Sequence, residues 1–451
     1  MVPFKIKLWR LYKNKINKSL NKFYFILLSH INHLYIFFLY NPAMIKKLLS
    51  IKPFYLNIIY GVSTAFMFSA FIYMQHLGFS NKPLATVFAL FALALFLYIP
   101  KIAIFIAGFF IGFFWFYWIG YSFEYTGMGF ITPLVTLGFA FIYMLFFAPL
   151  ALFKHPALRA LTLFALSYFE PFYFNWMQIE LIFVESYIGI EKYHLIIVLT
   201  ALALISYMPK KFRYVPLLLL IFAINFNSHQ PIPASLKIKL VETDVKQEVK
   251  WLKESLNPTI NMIFQNIYEA IDEKYDVIVL PESVFPLFLN NQPTLIKELE
   301  KLSFDISIVA GALLRENSEN YNVSYIFEDG EYIIAKKLVL VPFGEYIPLP
   351  KFAQDFINNI FFDGQADFSI ADAPTDFKLK GVSFRNAICY EATSQKIYKD
   401  NPSYIIAISN NAWFAPSIEP TLQNLLMRYY ARKNNAMIYH SANFKGTGVV
   451  W

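Results

Sequence analysis

Three short apolar runs in the second half of the chain each end on residues able to do chemistry. DVIVLPES delivers Glu282, YIIAKKLVLVPFGEY carries Lys336, Lys337 and Glu345, and FRNAICYEA carries Cys389 and Glu391. Cys389 is the only cysteine among 451 residues, which excludes a disulfide within the chain and any cysteine-rich metal site. Taken singly, each group has an ordinary explanation: a solvated glutamate after proline, a lysine pair at a strand end, a cysteine in a core. Together they supply a nucleophilic thiol, a carboxylate to take its proton, and an ammonium to stabilise a thiolate and the oxyanion of a tetrahedral intermediate.

The apolar periodicity says what must position these groups. Strands are expected at 236–241, 276–280, 306–312, 322–327, 332–336, 382–388, 404–409 and 437–440. An amphipathic helix is expected over 258–273, with Ile260, Ile263, Phe264, Ile267 and Ile271 on one face, and another helix over 419–433. The run 382–388 leads into a polar, helix-like segment after Glu391. Strands alternating with helices predict an α/β domain over 236–451.

The first half is of another kind. The chain is 57% hydrophobic and 19% aromatic, against about 45–50% apolar for an ordinary soluble protein, so much of it belongs in a membrane. Charged residues make up only 16%, with a net charge of +8; no nucleic-acid motif is present, and the basic residues flank apolar stretches. Seven such stretches, at 55–74, 84–99, 102–123, 131–153, 157–169, 194–208 and 214–226, predict a transmembrane domain over 55–227. Several are shorter than the ~20 residues that cross a bilayer. Basic residues occupy alternate connections: Lys46, Lys47 and Lys52, then Lys101, then Lys154 and Arg159, then Lys210, Lys211 and Arg213. Lysine and arginine accumulate on the cytoplasmic side, so seven spans with a cytoplasmic start place residues 236–451 beyond the outer face. The linker SHQPIPAS joins the two halves. Residues 1–54 form a basic leader around an apolar stretch at 23–40, and Met44 offers an alternative start.

With the motifs in place, a resemblance becomes specific. The second half resembles the nitrilase, or carbon-nitrogen hydrolase, superfamily, and the chain from about 55 to 450 resembles its membrane-embedded branch, the apolipoprotein N-acyltransferases. LPES matches the glutamate motif, KLVLVPFGEYIPLP the lysine motif and its loop, AICYE the cysteine motif, and ISNNAWF a downstream segment. The resemblance implies an αββα sandwich after a polytopic helical domain, and a catalytic triad of Glu282 as general base, Lys337 as oxyanion partner and Cys389 as nucleophile; Lys336 fits the register less well. It implies supporting or substrate-binding roles for Glu345, Glu391, Tyr390, Trp413 and Phe414, and for Trp251 on an arm over the site. It further implies a phospholipid acyl donor, a thioester on Cys389, and a diacylated apolipoprotein whose terminal α-amino group accepts the chain, without metal or organic cofactor. The location implied is the bacterial cytoplasmic (inner) membrane, with the catalytic domain on the periplasmic side. The aromatic segment 351–371 is a candidate lid.

Two features depart from the family pattern: the basic leader, and an end at Trp451 where further strands and a last membrane helix are expected. The rival readings are a membrane-tethered nitrilase-type amidase with water as acceptor, an inactive truncated relative, and a transporter whose outer domain only binds. The near absence of charges within the spans counts against the last.

Overall fold

The computed structural model describes residues 53–226, 231–341, 345 and 368–451. The leader up to residue 52, linker residues 228–230 and the lid segment up to residue 367 lie outside the described residues. From Tyr60 to Trp451 the chain forms one unit.

Helix starts in the first half are set by residues that suit a free helix N-terminus. Asn81 accepts the Leu84 N–H at 2.9 Å, with Pro83 in the first turn; proline loses nothing there, because its missing N–H has no intrahelical acceptor. The helices are α1 (Pro53–His76), α2 (Lys82–Tyr98), α3 (Lys101–Phe116), α4 (Thr132–Phe147), α5 (Pro156–Leu166) and α6 (Lys192–Leu204). Short 3₁₀ turns prolong α3 and α4. Among the described residues three segments are long and apolar enough to cross a membrane: Pro53–His76, Lys101–Tyr125 and Gly129–Leu152. Helices α2, α5 and α6, of 17, 11 and 13 residues, advance about 1.5 Å per residue and fall short of a ~30 Å hydrocarbon core. The seventh apolar stretch contains a nine-residue 3₁₀ segment, Val215–Ala223. Hydropathy counts apolar residues; it does not report how far the chain advances.

Helices α3 and α4 approach closely because Gly108 and Gly112 present no side chain to their neighbour. A Cβ at either would lie 2.7 Å from a carbonyl oxygen, that of Tyr143 or of Phe139. Around this contact Phe96 stacks on Phe147 and Phe116 on Tyr143, each pair at 4.8 Å, and the buried Trp115 indole donates to Ser69 Oγ at 3.0 Å. Without a hydrophobic force between helices in lipid, such packing and hydrogen bonding hold a bundle together.

The second half is built from two five-stranded sheets. The first has the order β1 (Ile238–Leu240), β2 (Val277–Val279), β3 (Ser307–Glu316), β4 (Glu319–Glu328), β5 (Glu331–Lys336). The second runs β10 (Gly448–Val450), β9 (Met437–Asn443), β8 (Tyr404–Asn410), β7 (Val382–Ile388), β6 (Asp376–Leu379). In each sheet three strands are parallel and the remaining pairings are antiparallel. The sheets pack face to face through Val277, Val279, Val309 and Ile326 on one side and Phe384, Ile388, Ile406 and Ile408 on the other. Helices α7 (Lys253–Asp272) and α8 (Pro293–Leu302) cover the first sheet through Ile263, Ile267, Ile296 and Leu299. Helix α9 (Glu419–Asn434) covers the second, and its other neighbour is the membrane domain: Leu422, Leu425 and Leu426 share one apolar cluster with residues of α1 to α6.

Several expectations shift. Helix α7 begins at Lys253, so Pro258 lies inside it rather than opening it; its apolar face is the predicted one. Strands β3 and β4 run longer than their apolar cores because a nine-pair antiparallel register carries them into solvent. The segment after β7 is made of two 3₁₀ turns, Cys389–Thr393, which starts at the cysteine itself, and Gln395–Tyr398. Helix α8, with Ile296, Leu299 and Leu302 at helical spacing, and the short edge strands β6 and β10 complete the layers without having been expected.

Gly112→Ala forces its methyl group against the α4 backbone. The expected cost is about 1–3 kcal/mol, read as a lower midpoint of thermal unfolding in detergent; an unchanged midpoint would show that the helices separate there at no cost.

Candidate active site

The chain reaches the site at the ends of strands on both sheets. The fully buried strand β2 ends at Val279, and the turn after it bends back on β3: Gly311 N–H donates to the Pro281 carbonyl at 3.3 Å, and Phe285 N–H to the Gly311 carbonyl at 3.1 Å. A Cβ on Gly311 would sit 2.4 Å from Ser283 N and 2.6 Å from Glu282 Cα, so only glycine admits this turn. Ser283 is held at φ 47°. Cys389 opens the turn after β7 at φ 56°, a left-handed conformation that costs a non-glycine residue on the order of 1–3 kcal/mol and is common where a side chain must be displayed. Lys337 follows β5, its N–H bonded to the Asn322 carbonyl at 3.0 Å.

These turns bring together a buried ionic cluster. The Lys337 side chain is 1% exposed, with Nζ 2.7 Å from Glu345 Oε1 and 3.7 Å from Glu282 Oε1. Burial alone would drive this amine towards neutrality; the attraction of Glu345 and Glu282 outweighs it and raises the pKa, so the ammonium persists. Glu282 accepts Asn322 Nδ2 at 2.7 Å on one oxygen and the Asn410 N–H at 2.8 Å on the other. The Cys389 thiol, partly exposed, is pushed well up by burial and by Glu282, against the pull of Lys337. Its resting form is therefore the thiol.

Glu391 ties two of these turns together. Its Oε2 accepts the Leu338 and Val339 N–H groups at 2.8 and 3.1 Å, just after Lys337, and its Oε1 accepts the Ile388 N–H at 2.6 Å, just before Cys389. Burial pushes its pKa up to about 7, with Lys337 and those three amides pulling the other way. Glu345, besides holding Lys337, accepts the Val341 N–H at 2.9 Å.

The aromatic candidates lie differently. Tyr390 is buried among membrane-domain residues, stacked with Phe174 at 6.0 Å and Trp176 at 6.1 Å. Trp413 meets Tyr125 and Phe414 meets Trp118 edge-on, at 5.7 and 4.7 Å. Trp251 is 45% exposed, directly after the short helix Gln247–Lys250. The Cys389 turn is also bonded to the membrane domain, Trp176 Nε1 donating to Thr393 Oγ1 at 2.8 Å, and helix α9 is too, Arg428 pairing with Glu185 and Arg432 donating to the Val184 carbonyl. Lys336, the other member of the lysine pair, points out to Glu316 at the surface.

Sequence reading missed a second buried lysine. Lys250 donates to the Glu282 carbonyl at 3.1 Å, and burial brings its pKa down to about 8, with Glu282 opposing. One turn earlier the Gln247 side-chain amide pairs with that of Asn410 at 3.0 Å, and the Asn443 amide pairs with it at 2.8 Å. These residues fix Asn410 and, through its N–H, the Glu282 carboxylate. Their only signal in the sequence is position at the ends of strands or one turn before an exposed tryptophan. No group of three or more potential metal ligands occurs among the described residues.

Comparison with known proteins agrees with this architecture. Residues 55–226 match the family described as the apolipoprotein N-acyltransferase integral membrane domain, and residues 239–451 match carbon-nitrogen hydrolase. The apolipoprotein N-acyltransferase of Wolinella succinogenes is 40% identical over 388 residues, covering 86% of this chain and 94% of the relative. The chain belongs to the apolipoprotein N-acyltransferase family. Those of Helicobacter pylori and Helicobacter hepaticus are 38% and 36% identical, over 80% and 81% of this chain and 86% and 93% of theirs. Membership makes the chain a membrane-embedded acyltransferase of the carbon-nitrogen hydrolase superfamily.

Two substitutions test the scaffold. Glu391→Ala strands three buried N–H groups, each worth about 1–3 kcal/mol, and is expected to lower both thermal stability and activity; Gly311→Ala is expected to displace Glu282 and reduce turnover at least ~10-fold, since even about 1 Å of misplacement costs more than that. Activity and unfolding midpoints in detergent check both, and wild-type values for either would contradict the geometry described.

Proposed function

We propose that the protein transfers an acyl chain from a phospholipid, through a thioester on Cys389, to the α-amino group of the N-terminal diacylglyceryl-cysteine of an apolipoprotein. The observation that carries this reading is the convergence at strand ends of Glu282 and Lys337, 3.7 Å apart, with the Cys389 turn that Glu391 ties to the residues after Lys337, in a domain whose cysteine turn is bonded to a membrane domain.

Glu282 accepts the thiol proton as Sγ attacks the ester carbonyl carbon. The oxyanion that forms lies against the Lys337 ammonium, which Glu345 keeps charged and fixed. The carbonyl re-forms, the C–O bond to glycerol breaks, and Glu282 returns the proton to the departing lysophospholipid oxygen. In the second half-reaction the acceptor nitrogen attacks the thioester carbon, gives up a proton to Glu282, and the C–S bond breaks; Glu282 then reprotonates the thiolate. An incoming ammonium first sheds one further proton to solvent. Glu391 and the Lys250–Asn410 network serve by position. The membrane domain holds the Cys389 turn near the bilayer in which both lipid-anchored substrates lie. The basic connections at Lys101, at Lys154 and Arg159, and at Lys210 to Arg213 support an orientation in the bacterial cytoplasmic membrane with the catalytic domain outside.

Purified protein incubated with acyl-labelled phospholipid and a diacylglyceryl-cysteine peptide is expected to yield labelled peptide, and without peptide an acyl adduct on Cys389 that hydroxylamine removes. Cys389→Ala abolishes both, while Lys337→Met lowers the rate by on the order of 10²–10³. Labelled free acid as the sole product, or transfer by Cys389→Ala, would overturn the reading.

A further inference from the structure

Among the described residues, one buried carboxyl group near Cys389 has an oxygen without a hydrogen-bond partner. Glu419, in the first turn of α9, is 1% exposed, and its Oε2 makes no hydrogen bond. An acid at a helix N-terminus ordinarily sits in water or accepts a backbone N–H. Here Ser417 Oγ accepts the Glu419 N–H at 3.1 Å, and the Glu419 carboxyl is left over. Gln423, four residues on and therefore on the same helix face, reaches Cys389 Sγ at 3.9 Å and accepts Asn411 Nδ2 at 3.2 Å. That face looks onto the nucleophile. Glu282 is near enough to act on Glu419, and burial together with Glu282 pushes the Glu419 pKa well up. Among the described residues, the two buried lysines of the site are engaged elsewhere: Lys337 with Glu345 and Glu282, Lys250 with the Glu282 carbonyl. Among the described residues no salt bridge includes Glu419.

A buried carboxylate without a partner is costly, so Glu419 rests protonated; when a cation with N–H donors arrives the pair is stable and the Glu419 proton leaves to solvent. Resting on the acyl-transfer reading above, we propose that Glu419 is the binding site for a substrate's primary ammonium, held beside Cys389 by a charge-assisted hydrogen bond to Oε2. Two substrates can carry such a group: the acceptor, through its terminal α-ammonium, and a donor phospholipid with an ethanolamine headgroup. The contact is one of binding and orientation. It leaves the thioester chemistry to Cys389, Glu282 and Lys337, and gives the site a means of selecting amines that enter charged.

The test separates the half-reactions in Glu419→Gln, which keeps size and hydrogen bonding but cannot give up a proton to pair with an incoming ammonium. If the acceptor supplies the ammonium, the KM for a diacylglyceryl-cysteine peptide rises on the order of 10- to 100-fold, the range for loss of a charged hydrogen-bond partner. Release of the acyl group by hydroxylamine, a nucleophile uncharged at pH 7, stays within about 3-fold of wild type on the same basis. If the headgroup supplies it, thioester formation slows with phosphatidylethanolamine but not with phosphatidylglycerol, and the acceptor KM is unmoved. Glu419→Asp restores part of either loss. Wild-type kinetics with every substrate, or an equal fall with all donors, acceptors and hydroxylamine, overturns the assignment. Failure of the wild-type protein to form the thioester would instead refute the acyl-transfer reading on which it rests.

Discussion

Lys337 keeps its charge where water barely reaches it, and much of the catalytic domain is arranged around that fact. An ammonium taken out of water is stable only beside carboxylates that are themselves held by donors. Glu345 and Glu282 supply the charge; Asn322, Asn410 and the Val341 amide hold the carboxylates; Gln247 and Asn443 hold Asn410. Removing one member leaves another buried group unpaired, so the constellation is rigid as a set. Rigidity of this kind lets an electrostatic site act on a developing oxyanion without reorganising.

The two sheets explain how such a set is assembled. Glu282 and Lys337 come from the first sheet, Cys389 and the Asn410 amide from the second, and the apolar face between the sheets fixes their separation. Glu391 bridges the sheets with one carboxylate, binding the segment after Lys337 to the end of the strand before Cys389. On the far side of the second sheet, the helix layer shares its core with the membrane domain. Tyr390, Trp413 and Phe414 pack into that junction, so the same short turns carry the candidate site residues and the contacts with the membrane domain.

The apolar patterns read well where one face or both faces of an element are buried. Strand β7 has the expected bounds, and the face of α7 is the expected one. They read poorly at edges. Strands β6 and β10 are held by main-chain pairing with a neighbour, which leaves little trace in side-chain type. The membrane helices show the same limit, since seven apolar stretches resolve into three long helices, three shorter ones and a 3₁₀ segment.

The sequence by itself determined the class of the protein and the chemical groups on offer. Hydropathy and charge report burial in lipid directly, and the motifs around Glu282, Lys337 and Cys389 are contiguous along the chain. Only the tertiary structure decided which other residues join them. Lys250, Asn322, Asn410 and Glu419 are unremarkable where they stand in sequence, and each lies beside residues distant along the chain, as Asn410 lies beside Glu282 from 128 residues away. Hydrogen bonding and desolvation act over a few ångströms of space, and sequence order does not record that distance.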